Sequence, residues 1–112
     1  LISADVNKIC PFELLEKLHP SPAVCGFPKE KALDYLDILE NFERGNYASP
    51  FGWVDLEGNA DFRVALRGAR IIKGGIEFIA GSGLVKGSIC EKEIDEIKLK
   101  LASLANQIFD KI

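Results

Sequence analysis

Three charged residues near the end of the 112-residue chain, Glu93, Glu96 and Lys100, stand at i, i+3 and i+7. On a helix that spacing puts all three on one face. Two carboxylates one turn apart can offer oxygen ligands to a hard cation such as Mg²⁺, and a lysine one further turn along can neutralise an anion held by that ion. The same Glu-to-Lys spacing is also a common stabilising surface pair, and from spacing alone that reading prevails over a metal site. A second candidate is Ala80-Gly81-Ser82-Gly83. Glycines there let backbone N–H groups approach an anion unobstructed, or else mark a bulge or a close packing contact. Arg67 is a third. Alternation of Phe62, Val64 and Leu66 places Arg63, Ala65 and Arg67 on the opposite strand face. If that face is covered, Arg67 needs a partner such as a carboxylate held bidentately; if open, it is solvated. Tyr47 and Trp53 read first as packing residues, Trp53 especially. His19, the single histidine, precedes Pro20 and reads as structural, and no Ser, Cys or Asp stands in a nucleophile–base motif.

The elements that must position these residues follow from periodicity. After Pro11, the pairs Phe12/Leu15 and Leu14/Leu18 space out a short amphipathic helix that His19-Pro20 ends. Residues 21–27 hold too many turn formers for a helix and suit a closely packed loop. Pro28 opens the next helix, with Ala32, Leu33, Leu36, Leu39 and Phe42 as its apolar stripe and a stop near Arg44-Gly45. Beyond Tyr47 the period becomes two, predicting strands over about 48–55, 61–72 and 76–85, joined at Leu56-Glu57-Gly58-Asn59 and Lys73-Gly74-Gly75. From Glu91 to Phe109 the pattern is helical again, with Ile94, Ile97, Leu101, Leu104 and Ile108 as the buried stripe. The expected fold class is α+β, an antiparallel β-meander packed with helices.

Bulk properties narrow the function classes. The length and the 47% hydrophobic content suit one domain or part of one. A net charge of −3 with mixed signs carries no basic, aromatic-interleaved footprint for nucleic acid. No apolar run approaches the roughly 18 residues needed to span a bilayer, and no membrane partner is expected. The three cysteines, Cys10, Cys25 and Cys90, lack CxxC or CxxH spacing and fit a reducing, cytoplasmic setting. The chain has no methionine and begins Leu1-Ile2 as if at a strand end or loop. It is therefore expected to be a segment of a longer polypeptide, residues 1–112 forming one piece whose upstream part is missing.

Five ordered blocks give the chain a resemblance that no single motif carries: residues 18–26 (LHPSPAVCG), 44–53 (RGNYASPFGW), 62–67, 80–85 and 93–100. Together they resemble the C-terminal region of the chorismate-binding enzymes, a family that includes isochorismate synthases, salicylate synthases, and component I of anthranilate and aminodeoxychorismate synthases. The LHPSPAVCG run is similar to the isochorismate synthase type. The aminating members usually carry a threonine near Ala23 and GAPK where this chain has Gly26-Phe27-Pro28-Lys29.

The resemblance implies that Tyr47, Arg67 and the backbone amide of Gly81 contact a carboxylate or the enolpyruvyl group of chorismate, with Lys100 helping to meet that charge. It implies that Glu96 ligates a magnesium ion holding the ring carboxylate, with Glu93 as a second ligand or acting through water. Ser82 departs from the usual alanine between the two glycines and is small enough to preserve the backbone contact. The family's general base, general acid and a further magnesium-binding glutamate lie upstream of these blocks, so no catalytic residue is assigned in this segment. The implied activity is Mg²⁺-dependent isomerisation of chorismate to isochorismate by the longer chain, feeding menaquinone, phylloquinone, siderophore or salicylate synthesis. The segment alone is expected to be inactive. Alternatives are a salicylate synthase, an anthranilate or aminodeoxychorismate synthase component I, and a non-catalytic remnant that keeps the anion site.

Overall fold

A computed structural model describes residues 9–109. Residues 1–8, including the Leu1-Ile2 start, and residues 110–112 lie outside the described part. The described chain falls into two compact units, residues 9–41 with 49–64, and residues 42–48 with 65–109.

In the first unit, α1 (Pro11–Leu18) begins where the sequence places it. Pro11 supplies the φ of a first helical residue and lacks only an N–H that would have no partner there. Glu13 in the first turn and Lys17 in the last complement the helix dipole. The expected loop over residues 21–27 contains instead a four-residue helix, α2 (Pro22–Cys25). Pro22 starts it, for the same reason as Pro11, and Gly26 stops it at φ 91. Gly26 also permits a close approach, because a Cβ there would lie 2.9 Å from the Cβ of Ala32 on α3 (Lys29–Leu39). The α3 helix ends earlier than its apolar stripe suggests. Glu40 turns extended while its N–H still closes on Leu36, so Phe42 lies beyond the helix.

The strands β1 (Pro50–Val54) and β2 (Ala60–Val64) pair antiparallel, with Gly52 opposite Phe62 and Trp53 opposite Asp61. Their turn is built by Asp55. Its carboxylate accepts the backbone N–H of Glu57 (2.9 Å) and of Asn59 (2.8 Å) and the side-chain amide of Asn59 (2.8 Å). An edge-to-face contact between Phe12 and Phe62, centroids 6.1 Å apart, seats α1 on the hairpin. Trp53, expected to pack, is 55% exposed.

The second unit holds another hairpin, β3 (Ala69–Ile72) with β4 (Gly75–Phe78), and the long α4 (Cys90–Phe109). The α+β class and the antiparallel pairing are as expected, but the three-strand meander resolves into two separate two-stranded sheets. The expected strand over 61–72 breaks at residues 65–68, where Arg67 adopts φ 55, a left-handed value incompatible with a continuous strand. The expected third strand stops at Phe78, leaving Ala80 to Val85 outside regular secondary structure. Of the α4 stripe, Leu104 is buried, Ile97, Leu101 and Ile108 are half-buried, and Ile94 is exposed.

Candidate functional site

All six residues singled out by the sequence fall in the second unit. Four of them converge. Lys100 reaches back from the third turn of α4, its ammonium donating to the carbonyl of Gly81 at 2.8 Å and pairing with Glu96 one turn earlier. The Lys100 side chain is 18% exposed against 53% for Glu96, so its charge is largely withdrawn from water and depends on these two partners. On the other side of the loop, Tyr47 places its hydroxyl against Gly81, where an added Cβ would lie only 3.0 Å from that oxygen. The guanidinium of Arg44 stands 5.9 Å from the centroid of the Tyr47 ring, a cation–π arrangement. Among the described residues, the amides of Gly81, Ser82 and Gly83 donate no hydrogen bond to the protein. A phenol, a lysine and three consecutive N–H groups therefore gather at one loop, and that donor set suits an anion.

Two predicted residues remain apart from this cluster. Arg67 is exposed in the bend between β2 and β3 and has no side-chain partner among the described residues. Its expected place inside a strand is corrected by its left-handed backbone. Glu93 is half-buried one turn before Glu96 and likewise unpaired among the described residues. No group of three or more His, Cys, Asp or Glu gathers among the described residues. Two carboxylates one turn apart still fit Mg²⁺, which is commonly held by one or two carboxylates with water and substrate oxygens completing the shell.

Sequence reasoning missed a neighbouring feature. A cavity of about 420 Å³ opens beside the cluster, lined by Phe42, Glu43, Arg70, Glu77, Phe78 and Leu101 among others. Arg70 and Glu77 are cross-strand partners in the β3–β4 hairpin and form an ion pair at its wall. Counting outward from the Lys73-Gly74 turn would have placed them opposite each other. The backbone carbonyl of His19 accepts Lys29 Nζ at 3.0 Å.

The family model for chorismate binding enzymes matches residues 1–109. The chain belongs to that family. It is 50% identical over 91 residues to a salicylate biosynthesis isochorismate synthase of Pseudomonas aeruginosa, covering 81% of this chain and 19% of the relative. It is 46% identical over 91 residues to an isochorismate synthase of Bacillus subtilis, covering 80% of this chain and 19% of the relative. A vibriobactin-specific isochorismate synthase of Vibrio cholerae is 35% identical over 97 residues, covering 87% of this chain and 25% of the relative. The chain thus spans about a fifth to a quarter of the length of these relatives. No helix among the described residues is long and apolar enough to cross a membrane.

Proposed function

We propose that this chain supplies the carboxylate-holding side of an isochorismate synthase, in which chorismate is isomerised to isochorismate as water enters at C2 and the C4 hydroxyl leaves. The observation that carries the reading is the convergence of Tyr47, Lys100 and the free amides of Gly81, Ser82 and Gly83 in a chain similar to isochorismate synthases. In this reading the three amides and the Tyr47 hydroxyl donate to a substrate carboxylate, and Lys100 neutralises its charge from the α4 side. Arg67, unpaired and exposed in the bend outside this cluster, is a further cation assigned to the same substrate. Glu96 and Glu93 would hold Mg²⁺, which supplies charge neutralisation at the ring carboxylate. The protein groups so placed bind and orient the dianion, so that addition of water at C2 and loss of hydroxide at C4 proceed from a fixed geometry.

The proton-transferring acid and base belong to the remainder of a longer polypeptide, which is the partner this segment needs. A cytoplasmic setting is part of the same proposal, supported by the free thiols of Cys10, Cys25 and Cys90. The test is to incubate the full-length protein with chorismate, with and without Mg²⁺, and identify products by chromatography and mass. Magnesium-dependent isochorismate is the expected result, and it should be lost in Glu96→Ala and Arg67→Ala. Salicylate with pyruvate, or an aminated product when ammonia is supplied, would move the assignment to another branch of the family. No product under any condition would favour a non-catalytic anion-binding remnant.

A further inference from the structure

The turn that carries Tyr47 ends on Ala48, whose backbone sits at φ 63 although it is not glycine. Ala48 is also one of only three buried apolar residues among those described, at 6% exposed. Left-handed backbone is disfavoured for any residue with a Cβ and persists only where the surroundings over-determine it. Two backbone hydrogen bonds do so here. The N–H of Ala48 donates to the carbonyl of Ala65 at 2.9 Å, and the N–H of Tyr47 donates to Arg44 at 2.9 Å. Two residues beyond Ala65 stands Arg67, the other non-glycine residue at positive φ among those described. Ala48 therefore makes this backbone clasp and adjoins Tyr47, while Arg67 stands two residues beyond its other end; Tyr47 and Arg67 are both assigned to the substrate. Unfavourable backbone of this kind collects where a side chain must be aimed.

We propose that Ala48 is a positioning residue: its buried, left-handed conformation, clasped to Ala65, aims the Tyr47 hydroxyl at the Gly81 backbone. Residues 45–48 form a turn, and Ala48 closes it at positive φ. An extended residue there would carry the Tyr47 ring away from the Gly81–Gly83 amides. Burial and the backbone angle together restrict the position to small residues: glycine would adopt the angle freely, whereas a β-branched side chain could neither fit nor adopt it. For the substrate, the inference rests on the reading of Tyr47 as a chorismate ligand; for the aim of the ring, it stands independently.

The experiment uses the full-length protein and two readouts. The first needs no substrate: the ring resonances of Tyr47 in protein carrying ¹³C-labelled tyrosine. They are expected to shift in Ala48→Val and to stay near the parent position in Ala48→Gly, because glycine keeps the left-handed turn. The second is kinetic. Ala48→Val should raise KM for chorismate roughly tenfold with kcat changed far less, and Ala48→Gly should stay within about twofold of the parent. In a Tyr47→Phe background, Ala48→Val should add little further to KM, since its effect runs through that hydroxyl. Fully additive effects, or a large KM change in Ala48→Gly, would overturn the proposal. Should Ala48→Val fail to fold, Ala48→Asn and Ala48→Leu replace it. These side chains share heavy-atom count and branching and so both crowd the buried site, but Asn enters the left-handed region far more readily, so Leu is expected to displace the ring further than Asn. Equal displacement by both would count against the proposal. An unchanged KM in Tyr47→Phe, with the ring shifts as expected, would instead remove Tyr47 from the substrate site and leave Ala48 as the residue that aims it.

Discussion

At the scale of single residues, the cluster depends on what is absent from Gly81. Its φ is not positive, so the reason for glycine is space: a Cβ would press on the Tyr47 hydroxyl at 3.0 Å. In the proposed enzyme, Gly81→Ala is expected to raise KM for chorismate by about tenfold, roughly 1.4 kcal/mol of lost binding, with kcat little changed. Steady-state kinetics check it. Asp55 offers a second test. The side-chain amide of Asn59 beside it, helped by backbone N–H groups of Asn59 and Glu57, holds its carboxyl below the ordinary carboxylate range. A depressed folded-state value stabilises the turn above the unfolded pKa of about 3.9, and that contribution is lost as pH falls through the folded value. The difference in thermal midpoint between the parent and Asp55→Ala should therefore be constant above about pH 5 and shrink on acidification below 4. Among these residues, Glu96 and Lys100 were legible from helical spacing, whereas the Lys100 contact with the Gly81 carbonyl was not. A contact between residues so distant in sequence leaves no local pattern. Arg67 was legible as chemistry but misplaced in structure, because hydrophobic alternation carries no information about a single left-handed angle.

At the scale of elements, helices were easier to read than strands. Pro11, Pro28 and the α4 stripe announce their helices through position and period, and α4 runs from Cys90 to Phe109 close to its expected limits. The one-turn α2 escaped notice because four residues cannot show a 3.6-residue period. The meander was over-extended because the apolar alternation continues through residues 65–68 while the backbone does not. Within β1, Gly52 is the most constrained glycine. A Cβ there would come within 2.0 Å of the Asp61 carbonyl across the strand pair. That atom is backbone and cannot step aside, so Gly52→Ala should destabilise the β1–β2 hairpin by about 3 kcal/mol. Gly68→Ala, where nothing lies within 4 Å and φ is not positive, should be nearly neutral. Amide hydrogen exchange across β1 and β2 in the full-length protein distinguishes the two.

At the scale of the whole molecule, the described residues bury few side chains: Cys25, Ala48 and Leu104 are the only buried apolar residues among them. Phe27, Ile38, Leu39 and Ile71 are each more than 70% exposed. Isolated two-stranded hairpins are marginal in water, and among the described residues neither sheet has a third strand. The 112-residue chain alone is therefore expected to bind a hydrophobic dye, to melt without a sharp transition, and to show no turnover with chorismate. The full-length protein should reverse all three. A cooperative melt of the isolated chain, measured by calorimetry, would show that it holds a sufficient core of its own.

The exposed Trp53 has a practical corollary. It is the only tryptophan in the sequence, and it shares a strand face with Phe51, itself 57% exposed. A half-exposed indole emits at long wavelength and is open to collisional quenchers, so fluorescence from the bare chain should be red and readily quenched by iodide. If the remainder of a longer polypeptide covers that face, emission in a longer protein with no other tryptophan shifts to the blue and quenching falls. One optical signal would then report, in real time, when the two parts of such a polypeptide have come together.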